Sequence, residues 1–244
     1  MAMNGRNMRR WLACCLLLLV TAGCSTRSIS DSGYTPGSDN RLYRGELSEF
    51  DVIGIDRGEA ITQKDIEAAF TDKQRLSLRK GTTLMLIQSG AMFPDTEMLK
   101  PLEQYYNVAQ FSGIPERSES TDAVSASYAL ALRLAAARGN IDTIIVYWGI
   151  LETAREGLPT KALSWVPIVG GVLPDENQRM RIRLKAAVID VRTGRWEEFS
   201  PAPIDDNSLS GSYTRAASDQ DQVALLKSKA YQQAAMQIVD RYAE

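Results

Sequence analysis

The segment Ile141-Asp-Thr-Ile-Ile-Val-Tyr-Trp-Gly-Ile150 constrains this chain most, because Ile144 to Trp148 is apolar at every position. Successive residues of a strand point to opposite faces, so an unbroken apolar run is the pattern of a central strand covered on two sides. It belongs in the middle of a sheet. Thr82 to Gln88, a compact apolar run bounded by glycines, reads as a buried strand, and Asn107 to Gly113 as a second. Arg179 to Val191 reads as a long strand that Asp190-Val-Arg-Thr-Gly-Arg-Trp196 turns into a hairpin, with Gly194 at a positive-φ position. Phe50 to Ile55 alternates like a short strand or an extended segment.

Helices fill the intervals. Thr62 caps Gln63 to Phe70, with Asp65 completing a capping-box variant. Gly81 stops any helix over Lys73 to Lys80. Pro94 and Asp95 open a helix through Tyr105, which Pro101 should kink or shorten. Asp122 caps a helix to Arg138 that should be well buried, with Val124, Tyr128, Ala131 and Ala135 on one face and Leu130 and Leu134 widening it. The last helix, Asp219 to Tyr242, aligns Ala224, Tyr231, Ala235, Ile238 and Tyr242. The order βαβαβββα around a mixed sheet implies an α/β (α+β) two-layer arrangement with flanking helices.

The chain has no histidine, which excludes Ser-His-Asp and Cys-His catalysis, the H-E-x-x-H zinc site and any imidazole proton shuttle. Chemistry would have to rest on carboxylates, Lys, Tyr or Ser. No P-loop or G-x-G-x-x-G is present to cradle a phosphate. The acidic pairs Asp205/Asp206 and Asp219/Asp221 lack the spaced oxygens of a calcium loop, so no metal site and no cofactor is expected.

At the amino terminus, Arg9 and Arg10 precede the apolar run Trp11 to Val20 and the small residues Thr21-Ala22-Gly23, the layout of a signal peptide. Ten apolar residues are too few to span a bilayer, which takes about 20. Thr21-Ala-Gly-Cys24 resembles the lipobox of bacterial lipoproteins. That resemblance implies cleavage before Cys24 and covalent lipid, diacylglyceryl and fatty acyl such as palmitate, on Cys24. Cys14 and Cys15 would leave with residues 1–23, so no mature thiol remains for a disulfide, a nucleophile or a metal. Cleavage takes Lys plus Arg from 28 to 25 against 30 acids, a balance of −5, and no nucleic-acid partner is expected on that charge.

Residues 24–48 are rich in Ser, Gly and Asp and read as a flexible lipidated tether, at most about 80 Å long when extended. Residues 49–244 then form one periplasmic domain. Ser25 stands where enterobacterial lipoproteins retained at the inner membrane carry Asp, so the resemblance favours the periplasmic face of the outer membrane. Element order from Thr82 to Tyr242, the Val188-Ile-Asp-Val-Arg-Thr-Gly-Arg195 hairpin and the lipobox together resemble the curli-secretion lipoprotein and the lipoprotein activator of penicillin-binding proteins. No functional residue except Cys24 is carried over from this likeness.

Two stretches invite a contact. Arg179, Arg181, Arg183 and Lys185 alternate and so share one strand face, either a cationic ladder for an anionic ligand or a solvated row paired with acids such as Glu152 or Glu197. The apolar 158–174 segment, broken by Pro and Gly, holds Trp165, Val166, Ile168 and Val169, which either meet a partner or membrane or pack on the domain's own core. Ser77-Leu-Arg-Lys80, Ser38-Asp-Asn40 and Arg192-Thr-Gly194 mimic the motifs of penicillin-binding enzymes but in the wrong order.

The reading is a non-enzymatic lipoprotein held by its lipid and bound to an envelope protein in assembly or secretion, with room for a homo-oligomer. The alternatives are a histidine-free hydrolase using Ser/Lys or carboxylates, and an oligomeric secretion-pore subunit. The pore ranks last because the 158–174 segment lacks the alternating strands of a membrane barrel.

Overall fold

The computed structural model describes residues 27–31, 43–55, 60–71, 75–115, 124–155, 164–167, 179–206 and 215–242. Cys24, the signal sequence, Asp122, Ile168 and Val169 lie outside them. Eight strands form one sheet: β1 Arg27–Ser28, β2 Thr83–Ser89, β3 Asn107–Gly113, β4 Thr143–Arg155, β5 Ser164–Pro167, β6 Arg179–Asp190, β7 Trp196–Phe199 and β8 Ile204–Asp206. Helices are α1 Glu49–Ile53, α2 Gln63–Thr71, α3 Thr96–Glu103, α4 Val124–Arg138 and α5 Arg215–Tyr242. From β2 to α5 the elements run βαβαβββββα, the order read from the sequence with β5 and β8 added.

The sheet order is β3-β2-β4-β6-β7, parallel from β3 to β4 and antiparallel from β4 onward. β4 is the spine. It pairs with β6 from Thr143↔Asp190 to Ala154↔Arg179, and its other edge is taken in turn by β2, β1 and β5. β7 and β8 likewise take successive stretches of β6.

Ile144, Ile145, Val146 and Tyr147 are wholly buried, because both faces of β4 are covered. Leu84, Leu86, Ile145, Tyr147, Ile182 and Val188 meet Met98 and Leu102 of α3 and Leu226, Tyr231 and Ile238 of α5. On the other face Met85, Ile87, Ile144, Val146 and Ile189 meet Val52 of α1 and Leu132 and Ala136 of α4. The mixed α/β class stands, but helices cover both faces of the sheet, which makes three layers where two were expected. Because the side-chain period of a strand is two, a one-residue slip of β4 would exchange these two sets of contacts.

Several local expectations change. Phe50 to Ile55 is mostly helix: Ser48 and Asp51 close a capping box and Gly54, at φ 77°, ends α1. Residues 75–80 contain no helix; Leu78 N donates to the Tyr242 carbonyl and is buried, which holds the segment extended. α4 buries Ala129, Leu132 and Ala136 and leaves Leu130 and Leu134 62% and 52% exposed. Too many apolar residues around that helix let the sequence nominate the wrong face. On α5 the aligned Tyr231, Ala235, Ile238 and Tyr242 are buried, whereas Ala224 is exposed.

The stretch expected to be a free tether is pinned. β1 pairs Arg27↔Leu151 and Ser28↔Ile150, Ile29 N donates to the Gly149 carbonyl at 3.0 Å, and Ile29 is 1% exposed. Leu47, near the other end of that stretch, is 4% exposed.

Candidate binding groove

A groove of about 970 Å³ opens where both outer rows of the sheet are interrupted. β2 pairs with β4 only as far as Tyr147 and β1 begins at Ile150; β7 pairs with β6 at 186–189 and β8 at 180–182. Pro201 and Pro203 lie in the intervening crossing, and proline cannot donate a ladder hydrogen bond. The chain bows away there. Trp148 and Ile150 of β4 and Arg183 and Lys185 of β6 form the floor, the entry to α1 at Leu47–Phe50 one wall and Ser200–Pro203 the other.

Capping positions that first wall. Ser48 N donates to Asp51 Oδ2 at 3.0 Å, Val52 anchors α1 in the core, and Trp148 Nε1 donates to the Leu47 carbonyl at 2.8 Å. Lys185 Nζ sits 5.4 Å above the Trp148 ring. That stack holds an ammonium over an aromatic face, an attraction of about 0.5–2 kcal/mol depending on desolvation.

The row of cations expected on β6 is therefore not a free ladder. Glu152, whose side chain is 5% exposed, accepts from Arg181 Nε at 2.5 Å and from Arg183 Nη2 at 3.0 Å. Lys185 is ion-paired with Glu49 of α1 and lies 3.8 Å from Glu198 of β7. Arg179 stands in register with Ala154. Three of the four cations thus face three carboxylates and leave no surplus positive charge among themselves; the Arg179 side chain lies outside what the structure describes. Glu152 was one of the two acids that alternation placed nearby; Glu49 belongs to the helix that the sequence reading missed.

Trp165 and Val166 lie on β5, paired with Ala154 and Thr153, so the middle of the 158–174 segment is a strand rather than an irregular loop. Ile168 and Val169 fall outside the described residues. Ser77 is exposed before β2, Lys80 Nζ lies 5.5 Å above the Tyr105 ring, and Arg192 in the β6–β7 turn pairs with Asp142 at 3.2 Å. Ser38-Asp-Asn40 lies outside the described residues.

A second polar cluster lies at the carboxyl end of β2, where the sequence pointed to Asp95 as the start of a helix but not to Gln88, Tyr147 and Tyr231 beside it. Gln88 Oε1 accepts from Tyr147 Oη at 2.5 Å and from Asp95 N at 2.7 Å; Asp95 Oδ2 accepts from Tyr231 Oη at 2.7 Å and from Lys227 Nζ at 3.0 Å. Gln88 Nε2 donates to Ser30 Oγ at 3.0 Å, which ties β1 into the cluster. Burial first, and the Asp95 charge with it, push both phenols well above the ordinary tyrosine range. The cluster works as a clasp between β1, β2, α3, β4 and α5. The βα turn beside it uses its own donors, as Gly90 N and Gly113 N bond to the Gly113 and Ala91 carbonyls.

Among the described residues no group of three or more acidic, His or Cys side chains is placed to hold a metal ion, and no helix is long and apolar enough to cross a membrane. Residues 48–241 match the family model described as YafT bacterial lipoprotein, a span that starts at the α1 N-cap and ends within α5. The chain belongs to that family. The family is one of bacterial lipoproteins, which are membrane-anchored proteins. Two solved structures are similar: the hypothetical protein CT253 from Chlamydia trachomatis, 11% identical over 66% of this chain and 97% of its own, TM-score 0.34; and lipoprotein GNA1162 from Neisseria meningitidis, 14% identical over 66% of this chain and 99% of its own, TM-score 0.30. No curated protein matches the chain.

Proposed function

We propose that this member of the family is a non-enzymatic, partner-binding lipoprotein of the outer membrane's periplasmic face, held by lipid on Cys24 and using the β4–β6 groove to grip an envelope protein in assembly or secretion. The observation that carries the reading is the groove's make-up, a floor where the apolar Trp148 and Ile150 lie beside Arg183 and Lys185, whose charges are already neutralised in pairs. Such paired charges add little affinity for a bare anion, while an aromatic and arginine set around an apolar centre is the composition that dominates protein–protein binding energy. The resemblance of element order to the curli-secretion and penicillin-binding-protein-activator lipoproteins fits the same reading.

Anchoring and groove are connected through Ile29. Five residue steps separate Cys24 from Ile29, so the lipid lies within about 17 Å of the buried part of the domain. The domain is then held against the bilayer, and its partner must be reachable there. β5, with Trp165 and Val166, continues the β4 edge that β1 occupies and contributes a further contact surface in this account.

A photoreactive residue at Ala202, on the exposed groove wall, tests the reading against one at Lys100 on α3. The expected result is a discrete envelope-protein adduct from Ala202 and none from Lys100. Equal adducts at both positions, or none at Ala202, would overturn it.

A further inference from the structure

The outer edge of β3 is unpaired among the described residues, since β3 ends the sheet order. Asn107 N bonds inward to the Thr82 carbonyl and Gly113 bonds inward through both its N–H and its carbonyl. Because backbone groups alternate sides along a strand, Val108, Gln110 and Ser112 direct their N–H and C=O groups outward. Natural edges of this kind are protected by charge, proline, a bulge or a cover. β3, Asn-Val-Ala-Gln-Phe-Ser-Gly, has no charge and no proline, runs in unbroken register with β2, and leaves Phe111 38% exposed.

We propose that β3 is a homodimer seam, with two copies of this chain pairing antiparallel about Gln110 so that the sheet continues from one copy into the other. A two-fold axis through Gln110 sets it opposite its own copy and sets Val108 opposite Ser112 of the second copy, and the reverse. All three outward residues then fall on hydrogen-bonded positions, where each opposed pair exchanges two bonds. On the face shared with α4, Phe111 of each copy comes opposite Ala109 of the other, a large side chain over a small one on non-hydrogen-bonded positions where side chains approach most closely. Neutrality favours a second copy as occupant. A two-fold contact places like beside like, so any charge near the axis would repel itself, and this strand carries none.

The test uses the full lipidated protein in membranes. If Cys24 carries lipid and residues 1–23 are removed, Gln110→Cys introduces the only free thiol of the mature chain. Cα atoms of a hydrogen-bonded antiparallel pair lie about 5.5 Å apart, within disulfide range. Mild oxidation should give a covalent dimer from Gln110→Cys and none from Lys100→Cys on exposed α3. Adding Phe111→Lys, which places like charges near the axis without touching the core, should lower the dimer yield at least fivefold. A monomeric Gln110→Cys, equal crosslinking from Lys100→Cys, or indifference to Phe111→Lys would each overturn the seam. The Ala202 photocrosslink does not depend on β3, so the groove reading and the seam fail separately.

Discussion

Ile29 occupies the space in which Gly149 would carry a Cβ: an atom built there lies 2.6 Å from Ile29 Cδ1 and 2.7 Å from Leu184 Cδ2. The glycine of the central strand thus admits the buried apolar residue that, with the β1 pairing and Ser30, fastens the amino-terminal segment to the domain. Gly149→Ala should expel Ile29 or strain Leu184, at a cost of about 1–3 kcal/mol. Thermal melts would show the loss, and limited proteolysis at Arg27 should accelerate. Because the two residues touch, Gly149→Ala and Ile29→Ala should be non-additive.

Asp95 ties α3 to α5 through Tyr231 and Lys227, whose side chain is 14% exposed. Tyr231→Phe removes one bond to a charged acceptor and should cost about 1.5–3 kcal/mol. Asp95→Ala should cost more, since the Tyr231 hydroxyl, Lys227 and Gln88 all lose an acceptor or partner. Denaturant midpoints of the two variants, with an unchanged slope, would check the order.

Burial raises the Glu46 carboxyl above its ordinary range, with hydroxyl bonds from Ser28, Ser89 and Tyr43 opposing the shift. A raised folded pKa means that stability is full below the unfolded value and is lost as pH rises through the folded one. Glu46→Gln should therefore raise the melting temperature at neutral pH, and the gain should vanish in acid. Melts across that range read the sign directly.

Tyr242 follows the same rule at the alkaline end. Burial first, then Glu197, push its phenol up to about 12. The stability it holds is complete below the ordinary tyrosine value of about 10 and is lost as pH climbs through about 12. Tyr242→Phe should flatten that part of the alkaline stability curve, measured by denaturant unfolding.

Much of the frame was readable because it rests on period and punctuation. The apolar run at Ile144 to Trp148 could be only a central strand, and Gly194, at φ 76°, marked the β6–β7 turn. Thr62 and Asp65 do cap α2, through Thr62 N to Asp65 Oδ2 at 2.8 Å. What escaped depended on partners distant in sequence. The Ser48–Asp51 capping box was present as letters, but five residues of helix give too short a period to outweigh an alternating pattern. Ile29 looked like a stray apolar residue in a polar tether, since only Gly149, 120 positions later, shows where it fits.

The groove was half legible. Alternation put Arg179, Arg181, Arg183 and Lys185 on one face and offered Glu152 or Glu197 as counter-ions; Glu152 pairs with Arg181 and Arg183 at 2.5 and 3.0 Å, whereas Lys185 takes Glu49 and Glu198 rather than Glu197. That two breaks in the outer rows coincide beside Trp148 could not be read from spacing. It depends on where β1 and β8 stop, and neither is longer than three residues.

The most direct measurement is the yield of the Ala202 photo-adduct with Ile150→Asp placed on the groove floor, compared with the parent at matched melting temperature. An ionised side chain at the apolar centre must shed its water when a partner binds, and Arg183, in register with position 150, is already paired with Glu152, so the adduct should fall at least about tenfold. An adduct that persists undiminished in a folded Ile150→Asp protein would contradict the claim that this groove is where the lipoprotein holds its partner.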